Sequence, residues 1–331
     1  MSDQHIAFLR KHLIAFYGTH KRDLPWRRTR DPYAIWISEI MLQQTQVDTV
    51  IPRYQAFLSE FPNVERLAAA GVHRVCEAWA GLGYYRRARL LHAGAEYVVK
   101  EHKGKVPRDP KALQRVPGIG KYTSGAIASI AFGIEAPLVD ANVERVLSRF
   151  FALQDEVKSK AGQKALWAWA EALVQGSKPG DLNQALMEFG ALHCRPRAPL
   201  CTQCPVKKRC VAFQQGQSAS YPKLAPKADK KSITLALALV QRAQGEYVLE
   251  QRPLEGLWAG LWEPPSAPGK GAKRALESRL GLKLGRLKYR FKHILTHREV
   301  IVSVYIPPIG TGYESAQVLK ITKEPLNEPL S

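Results

Sequence analysis

Four cysteines crowded into one short segment constrain this chain more than any other feature. They have the spacing C-x6-C-x2-C-x5-C, and they are Cys194, Cys201, Cys204 and Cys210; the fifth, Cys76, stands alone in an apolar helical pattern. Five cysteines in 331 residues are not a disulfide framework, so thiolates this close together indicate a tetrahedral metal site in a reducing compartment. The spacing leaves zinc and an iron–sulfur cluster open, and it favours a structural role because no coordination position is left free.

The net charge of +20 points to a polyanionic partner. Nucleic acid is the first candidate, and basic side chains also surround the cysteines: Arg195, Arg197, Lys207, Lys208 and Arg209. A membrane surface is the competitor, but no apolar run approaches the roughly 18 residues of a spanning helix. We therefore expect a cytoplasmic protein that binds nucleic acid and does not attach to a membrane.

Hydrophobic periodicity divides the chain into two domains, as its length also suggests. Apolar spacing near 3.6 in residues 1–213 predicts helices at residues 6–17, 35–61 with a break near Pro52, 84–101, 123–132, 143–150, 163–174 and 181–192. Residues 214–231 are poor in large apolar side chains and predict a linker. Across residues 232–331 the period shortens toward two around one helix near 273–280, which predicts a smaller α+β domain.

A glycine turn followed by an aspartate forms a second motif, LQRVPGIGKYTSGAIASIAFGIEAPLVDANVERV, at residues 113–146. Gly118 and Gly120 make a tight turn before a helix, so backbone N–H groups and a helix N-terminus can face one phosphate oxygen. Asp140 follows about twenty residues later at the head of another helix. Each part has an ordinary interpretation, because glycine turns before helices are common and Asp140 alone is best explained as an N-cap.

Taken together, the motifs resemble the helix-hairpin-helix base-excision DNA glycosylases of the endonuclease III superfamily, and within it the adenine glycosylases of the MutY family. The matching segments run nearly end to end: LPWR (24–27), WISEIMLQQTQV (36–47), GLGYYRRAR (81–89), VPGIGKYTSGAI, VDANVERV, NQALMEFGA (183–191) and the four cysteines. The resemblance implies a mainly α catalytic domain with the hairpin motif at 113–130 and a [4Fe-4S] cluster in the loop 194–210. It leaves open a monovalent or divalent cation at the hairpin.

The resemblance also implies a reaction. Such enzymes flip adenine out of double-stranded DNA, where it is mispaired with 8-oxoguanine or guanine, and hydrolyse its N-glycosidic bond. Glu39 matches the acid that protonates the leaving base, and Asp140 matches the carboxylate that stabilises the sugar cation or attacks C1′. Tyr122 is expected to hydrogen-bond Asp140, and Asn142 is expected to help place Asp140 or water. Strand-cleaving relatives carry a lysine at the position of Tyr122, so we predict base removal without efficient lyase activity.

Further DNA contacts follow from the same matches. Gln43 and Tyr84 resemble the residues that fill the gap left by the flipped base, and Gln44 joins them as a predicted DNA contact. The adenine pocket is predicted from four residues, Trp26, Arg27, Leu42 and Glu188. Ala141 departs from the glycine common in the family, and we expect the change to be tolerated.

The second domain resembles the MutT/Nudix-like domain with which these enzymes recognise 8-oxoguanine. Ala275, Ser278 and Arg279 occupy the positions of the metal-binding glutamates of a Nudix hydrolase, so metal-dependent hydrolysis is excluded on ligand count. Thr296 and His297 take the place of the family's Ser-His pair, and Leu295 replaces its aromatic residue. The ordinary alternative for these two residues is a polar turn between strands.

Two rivals remain from the residues alone. One is an oxidised-pyrimidine glycosylase and lyase of the same superfamily, against which Tyr122 and the second domain argue. The other is a catalytically silent DNA-binding or redox-sensing protein, against which the presence of both Glu39 and Asp140 argues. We expect a monomer of the bacterial cytosol or nucleoid whose partner is duplex DNA.

Overall fold

The computed structural model describes residues 3–176, 178–226, 229–241, 246–253, 256–295 and 298–308, and the backbone of 321–322. The chain divides into two compact units, Met1–Ala225 and Pro226–Ser331. The first is helical and the second is built on a small sheet, so the predicted fold class is confirmed. Within the described ranges, no helix is long and apolar enough to cross a membrane.

The helices of the first unit are short and closely packed. They are α1 (Asp3–His20), α2 (Pro32–Met41), α3 (Val47–Glu60), α4 (Val64–Ala69), α5 (Val72–Ala78), α6 (Arg86–His102), α7 (Pro110–Leu113), α8 (Lys121–Phe132), α9 (Ala141–Phe151), α10 (Lys160–Val174), α11 (Pro179–Leu192) and α12 (Val211–Gln214). Helices α4 and α7 were not predicted, since four to six residues are too few to show a period. Tyr221, within the predicted linker, is buried against Ala152 and Ala212.

The predicted position of one helix break was wrong. The break expected near Pro52 lies at residues 42–46, and Pro52 sits inside α3. A proline in the second turn removes one helical hydrogen bond, and α3 tolerates that loss. The true break follows from tertiary contacts at the end of α2, where Gln44 adopts a left-handed φ of 56°.

Two nearly all-round buried helices form the centre of the first unit. In α2 every residue from Tyr33 to Met41 is buried, and in α8 every residue from Thr123 to Ile130 is buried. Asp31 starts α2 by accepting hydrogen bonds from the backbone N–H groups of Tyr33 and Ala34, with Pro32 at the first helical position. Side chains that point from these helices toward each other are therefore held rigidly and away from bulk water.

Helix α11 approaches the start of α9 through a glycine. A Cβ atom added at Gly190 would lie 2.6 Å from the Cβ of Asn142 and 3.1 Å from its Cα. Only a residue without a side chain fits this contact, which places α11 directly behind the N-terminus of α9.

The second unit is a mixed sheet with one helix. Its elements are β1 (Lys231–Ala238), β2 (Tyr247–Val248), β3 (Glu250–Gln251), β4 (Trp262–Glu263), β5 (Ser266–Pro268), α13 (Ala272–Leu280), β6 (Leu287–Ile294), β7 (Arg298–Tyr305) and β8 (Ile321–Thr322). The main sheet has the order β5-β1-β7-β6, in which β1 and β7 are parallel and the other pairs antiparallel. Leu276 and Leu280 of α13 pack on one face, against Ala236 and Ala238.

The glycine contact between α9 and α11 leads to a stability prediction. Gly190→Ala should destabilise the first unit by about 1–3 kcal/mol, because the new methyl group overlaps Asn142. Gly18→Ala is the matched control: nothing lies within 4 Å of its added Cβ, and alanine in a helix is favoured by about 0.5–1 kcal/mol. Thermal unfolding of the two variants would contradict the argument if Gly190→Ala were as stable as Gly18→Ala.

Candidate active site

A buried carboxyl group, Glu39, lies at the centre of the first unit. It belongs to α2, is only 5% exposed, and its Oε2 accepts a hydrogen bond of 2.6 Å from the hydroxyl of Tyr122. Burial raises the pKa of Glu39 to about 7; the Tyr122 hydrogen bond opposes this rise, and the nearby charge of Asp140 adds to it. Glu39 can therefore hold or give up a proton near neutral pH.

The second carboxyl group, Asp140, is the N-cap of α9. Its Oδ1 accepts from the backbone N–H of Val143 at 2.7 Å, and its Oδ2 accepts from the side-chain amide of Asn142 at 2.9 Å. Burial raises the pKa of Asp140, and these hydrogen bonds, which favour the charged form, offset the rise only in part. Capping the helix and holding a carboxylate toward Glu39 are thus the work of one residue.

The expected hydrogen bond between Tyr122 and Asp140 was wrong. Tyr122 donates to Glu39, and its hydroxyl also lies 3.3 Å from the sulfur of Met187. Both oxygens of Asp140 already have donors from the first turn of α9, so no bond to Tyr122 is needed there. Burial and the two neighbouring carboxyl groups raise the pKa of Tyr122 well above its ordinary value, which keeps the phenol a donor.

Lys121, the only lysine next to this position in the sequence, points elsewhere. Its Nζ lies 3.7 Å from the centre of the Trp167 ring, in a cation–π contact on α10. One residue of helix turns the side chain by about 100°, which accounts for the difference from Tyr122.

A chain of hydrogen bonds joins Asp140 to the cysteine segment. Asn142, which donates to Asp140, accepts from Arg145 at 2.9 Å, and the Nε of Arg145 donates to the carbonyl of Cys194 at 2.7 Å. One turn further along α9, Arg149 donates to the carbonyl of Arg195 at 2.7 Å and lies 3.4 Å from the sulfur of Cys194. Neither arginine of α9 was singled out from the sequence, although their spacing of four places them on one helix face.

The four cysteines line one cavity, together with apolar residues such as Val146, Phe150 and Phe189. Burial raises the pKa of Cys204 to about 12 and that of Cys210 to about 11, so thiolates here need a compensating positive charge. A metal centre supplies such a charge, and four sulfur donors fit the ligand set of an iron–sulfur cluster or zinc. Among the described residues, no three His, Cys, Asp or Glu side chains are placed to hold a single ion.

The predicted adenine-pocket residues meet at a buried ion-pair network. Glu188 is 1% exposed, and its carboxylate accepts hydrogen bonds from the guanidinium groups of Arg27 and Arg22 at 2.7–3.0 Å. Burial by itself raises the pKa of Glu188, but the hydrogen bonds from Arg27 and Arg22 outweigh it and lower the pKa to about 2. Glu188 therefore holds the LPWR segment against α11, and Arg22 is a member of this site that the sequence did not reveal.

The other two predicted pocket residues, Trp26 and Leu42, also belong to the helical unit. Trp26, which follows Pro25 in a short 3-10 helix, is buried with its ring edge-to-face on Tyr54 at 5.5 Å. Leu42 ends α2 and is half-buried.

Two of the residues predicted to contact DNA have a strained backbone. Gln44 has a φ of 56° and Tyr84 a φ of 49°, in the left-handed region that side chains other than glycine rarely adopt. Tyr84 is 56% exposed, whereas the amide of Gln43 lies 3.5 Å from the hydroxyl of Thr123 on α8. Strain at an exposed tip is typical of a residue placed for a function.

The hairpin has the turn that the sequence predicted. Gly118 has a φ of 82°, and Gly120 is the extended N-cap of α8. The first turn of α8 therefore begins at the glycine turn, and its free N–H groups suit an anion. Thr296 and His297 lie outside the described residues.

Comparisons with known proteins agree with this architecture. A family model described as HhH-GPD superfamily base excision DNA repair protein matches residues 37–172, and one described as NUDIX domain matches residues 236–329. Among solved structures, a thermostable thymine-DNA glycosylase is 36% identical with a TM-score of 0.60, covering 64% of this chain and 98% of that one.

Two relatives share a name. The human protein named adenine DNA glycosylase is 40% identical over 314 residues, which cover 79% of this chain and 58% of the human protein. The protein of the same name from Buchnera aphidicola subsp. Baizongia pistaciae is 32% identical over 309 residues, which cover 92% of this chain and 86% of that protein. The chain thus spans less than two thirds of the human relative and most of the Buchnera one.

The buried acid makes stability depend on pH. An unfolded glutamate has a pKa of about 4.3, so the folded state keeps the proton of Glu39 up to about pH 7 and loses stability as the pH rises through this window. Glu39→Gln cannot ionise and should gain stability relative to the wild type by about 2–3 kcal/mol between pH 5 and pH 8.

The measurement is thermal or denaturant unfolding of both proteins at the two pH values. Glu101→Gln, at an exposed glutamate on α6, is the control and should show no such change. If the difference in stability between Glu39→Gln and the wild type did not change with pH, this would contradict the raised pKa of Glu39.

Proposed function

Because the chain belongs to the adenine DNA glycosylase family, we propose that it removes adenine from double-stranded DNA by hydrolysing the N-glycosidic bond. The substrates are adenines mispaired with 8-oxoguanine or guanine. The observation that carries the proposal is the pair of carboxyl groups, Glu39 with a raised pKa and Asp140 held by the cap of α9. Burial raises the pKa of both groups, but Asp140 has donors from Val143 and Asn142 that favour its charged form, a difference that suits an acid and an anion at one site.

The acid in this mechanism is Glu39. Adenine leaves the sugar poorly as an anion, so a proton must reach the base as the bond breaks. A pKa of about 7 lets Glu39 carry that proton at neutral pH and release it readily. The hydroxyl of Tyr122 keeps the carboxyl in place and hydrogen-bonds the charged form that remains after the proton has left.

The anion is Asp140. Loss of the base leaves positive charge at C1′, which a nearby carboxylate stabilises or captures, as in glycosidases. The hydrogen bonds from Val143 and Asn142 favour the ionised form and fix the direction of the carboxylate. The base is first extruded from the stack, since these groups lie inside the protein.

The four cysteines are proposed to hold a [4Fe-4S] cluster. Four cysteine sulfurs that share one cavity match the usual ligand set of such a cluster. The cluster would staple the segment 194–210, and Arg149 would offset its negative charge beside Cys194. Iron and sulfide analysis with a visible absorption spectrum distinguishes the cluster from zinc.

Base removal without strand cleavage is part of the proposal. A lyase step needs an amine at the sugar, and the position that faces Glu39 holds the phenol of Tyr122. Lys121 is held against Trp167.

The second unit is proposed to read 8-oxoguanine and not to hydrolyse nucleotides. Arg279, at a position where a Nudix hydrolase has a metal-binding glutamate, pairs with Glu250 at 2.9 Å. A guanidinium held beside the carboxylate of Glu250 disfavours the binding of a divalent cation there. Thr296 and His297 are the proposed contacts to the lesion.

The catalytic proposal is tested with duplexes that carry adenine opposite 8-oxoguanine, adenine opposite guanine, or thymine glycol opposite adenine. Wild type should release adenine from the first two, with strand breaks only after alkali, and Asp140→Asn should be slower by about 10³-fold. Tyr122→Lys should nick without alkali. Full activity in Asp140→Asn would remove the carboxylate from the mechanism, and alkali-independent nicking by wild type would favour the lyase rival.

The role of the second unit is tested by removing residues 226–331, since residues 1–225 form a compact unit. Loss of the lesion contacts should reduce the preference for 8-oxoguanine over guanine by about 10-fold while adenine release persists, because the carboxyl pair lies in the first unit. Full-length His297→Ala should shift the preference in the same direction. An unchanged preference in both proteins would refute the assignment.

A further inference from the structure

A half-buried arginine on α6, Arg87, lies outside the proposed catalytic pair and has an unusual set of partners. Its guanidinium donates to oxygens from two separate turns: through Nη1 to the carbonyls of Ile40 (2.9 Å), Met41 (2.9 Å) and Gln43, and through Nη2 to the hydroxyl of Thr45 (3.0 Å) and the carbonyls of Leu82 (2.8 Å) and Gly83 (3.1 Å). No carboxylate in the described part of the chain forms a salt bridge with it. Oriented dipoles and the rings of Trp79 and Tyr84 surround its charge.

The two turns that Arg87 joins lie about forty residues apart in the chain. The first, residues 40–45, carries Gln43 and Gln44, and the second, residues 82–84, carries Tyr84. Gln43 and Tyr84 are the residues predicted to fill the space left by the extruded base, and Gln44 is a further predicted DNA contact. The guanidinium carbon of Arg87 also lies 5.6 Å from the ring centre of Tyr84 and 5.4 Å from that of Trp79. The side chain of Arg87 thus contacts both turns that carry the residues predicted to fill the gap.

Both turns contain a strained residue. A left-handed φ at Gln44 or Tyr84 costs about 1–2 kcal/mol, and it persists only where surrounding contacts outweigh the cost. Six acceptors on one planar guanidinium are such contacts, and they act on both turns at once. Apart from the weak contacts of the Thr45 hydroxyl, which lies 3.4 Å from the carbonyls of both Gln43 and Leu82, it is Arg87 that ties the backbone at Gln43 to the backbone at Gly83.

We propose that Arg87 is a positioning residue for base extrusion: it holds the turns 40–45 and 82–84 in fixed register so that Gln43 and Tyr84 enter the duplex together. The inference rests on the proposed function, because it needs adenine to leave the stack before the bond is cut. In the described part of the chain, the guanidinium of Arg87 donates to the two turns and not to Glu39 or Asp140, so its effect falls on extrusion and not on bond cleavage.

The test compares two duplexes that differ only in how hard the adenine is to unstack. In one, adenine opposite 8-oxoguanine is flanked by matched pairs; in the other, the neighbouring pairs are mismatched, which lowers the cost of extrusion. Single-turnover adenine release by Arg87→Met should fall about 100-fold on the first duplex and much less on the second. Arg87→Lys, which keeps the charge but offers three donors, should be intermediate.

A fluorescent base gives a readout that does not require catalysis. With 2-aminopurine in place of adenine, binding of the wild type should raise the fluorescence as the base unstacks, and Arg87→Met should lose most of that rise. Arg86→Met is the matched control: it removes the same charge from the neighbouring, exposed residue and should keep the rise.

Equal losses on the two duplexes, or an unchanged fluorescence rise in Arg87→Met, would overturn the proposal. Thermal unfolding of each variant shows whether it is folded, and if Arg87→Met is not, the same comparison with Arg87→Lys decides. Failure of the proposed function shows itself differently, as a wild type that releases no adenine from either duplex, and the fluorescence arm then still tests the register of the two turns.

Discussion

The cap of α9 is the interaction on which the rest of the first unit depends. Asp140 accepts the hydrogen bonds that start this helix, and the same helix sends Asn142 back to Asp140 and Arg145 forward to the cysteine segment. Behind it, Gly190 lets α11 approach closely enough for its carbonyl to accept from Arg145 at 2.8 Å. The carboxylate that we propose to act at the sugar needs a fixed position. Here α9, α11 and the cysteine segment hold it together.

The two carboxyl groups differ because their surroundings differ. Glu39 comes from a helix buried on nearly all sides and has one donor, Tyr122. Asp140 sits at a helix start, where backbone and side-chain N–H groups surround it and the helix dipole favours negative charge. Burial raises the pKa of both, but only Asp140 receives several donors in return. The fold thereby gives two residues of nearly the same chemistry different surroundings, as the proposed roles of acid and anion require.

Much of this could be predicted from the sequence, and the misses have physical causes. Periodicity located the long helices and the change to a sheet, since burial of one face imposes the pattern. The partner of Tyr122 could not be predicted, because it depends on which carboxylate already has its donors. The sequence offers no reason to single out three arginines, Arg22, Arg87 and Arg145, because in a chain of net charge +20 a basic residue suggests DNA binding. Only the tertiary structure shows that these three donate hydrogen bonds within the protein.

The ion pair between Arg279 and Glu250 occupies the place of a metal site, and it also makes such a site difficult to restore by substitution. The guanidinium also donates to the carbonyl of Ser266, so it crosslinks α13, β3 and β5 in the place where a hydrolase of this fold would hold metal ions. Restoring glutamates at 275 and 278 alone would set new negative charges beside an arginine that is already paired. A variant able to hydrolyse nucleotides must lose this crosslink before a cation can bind. Losing the crosslink costs stability.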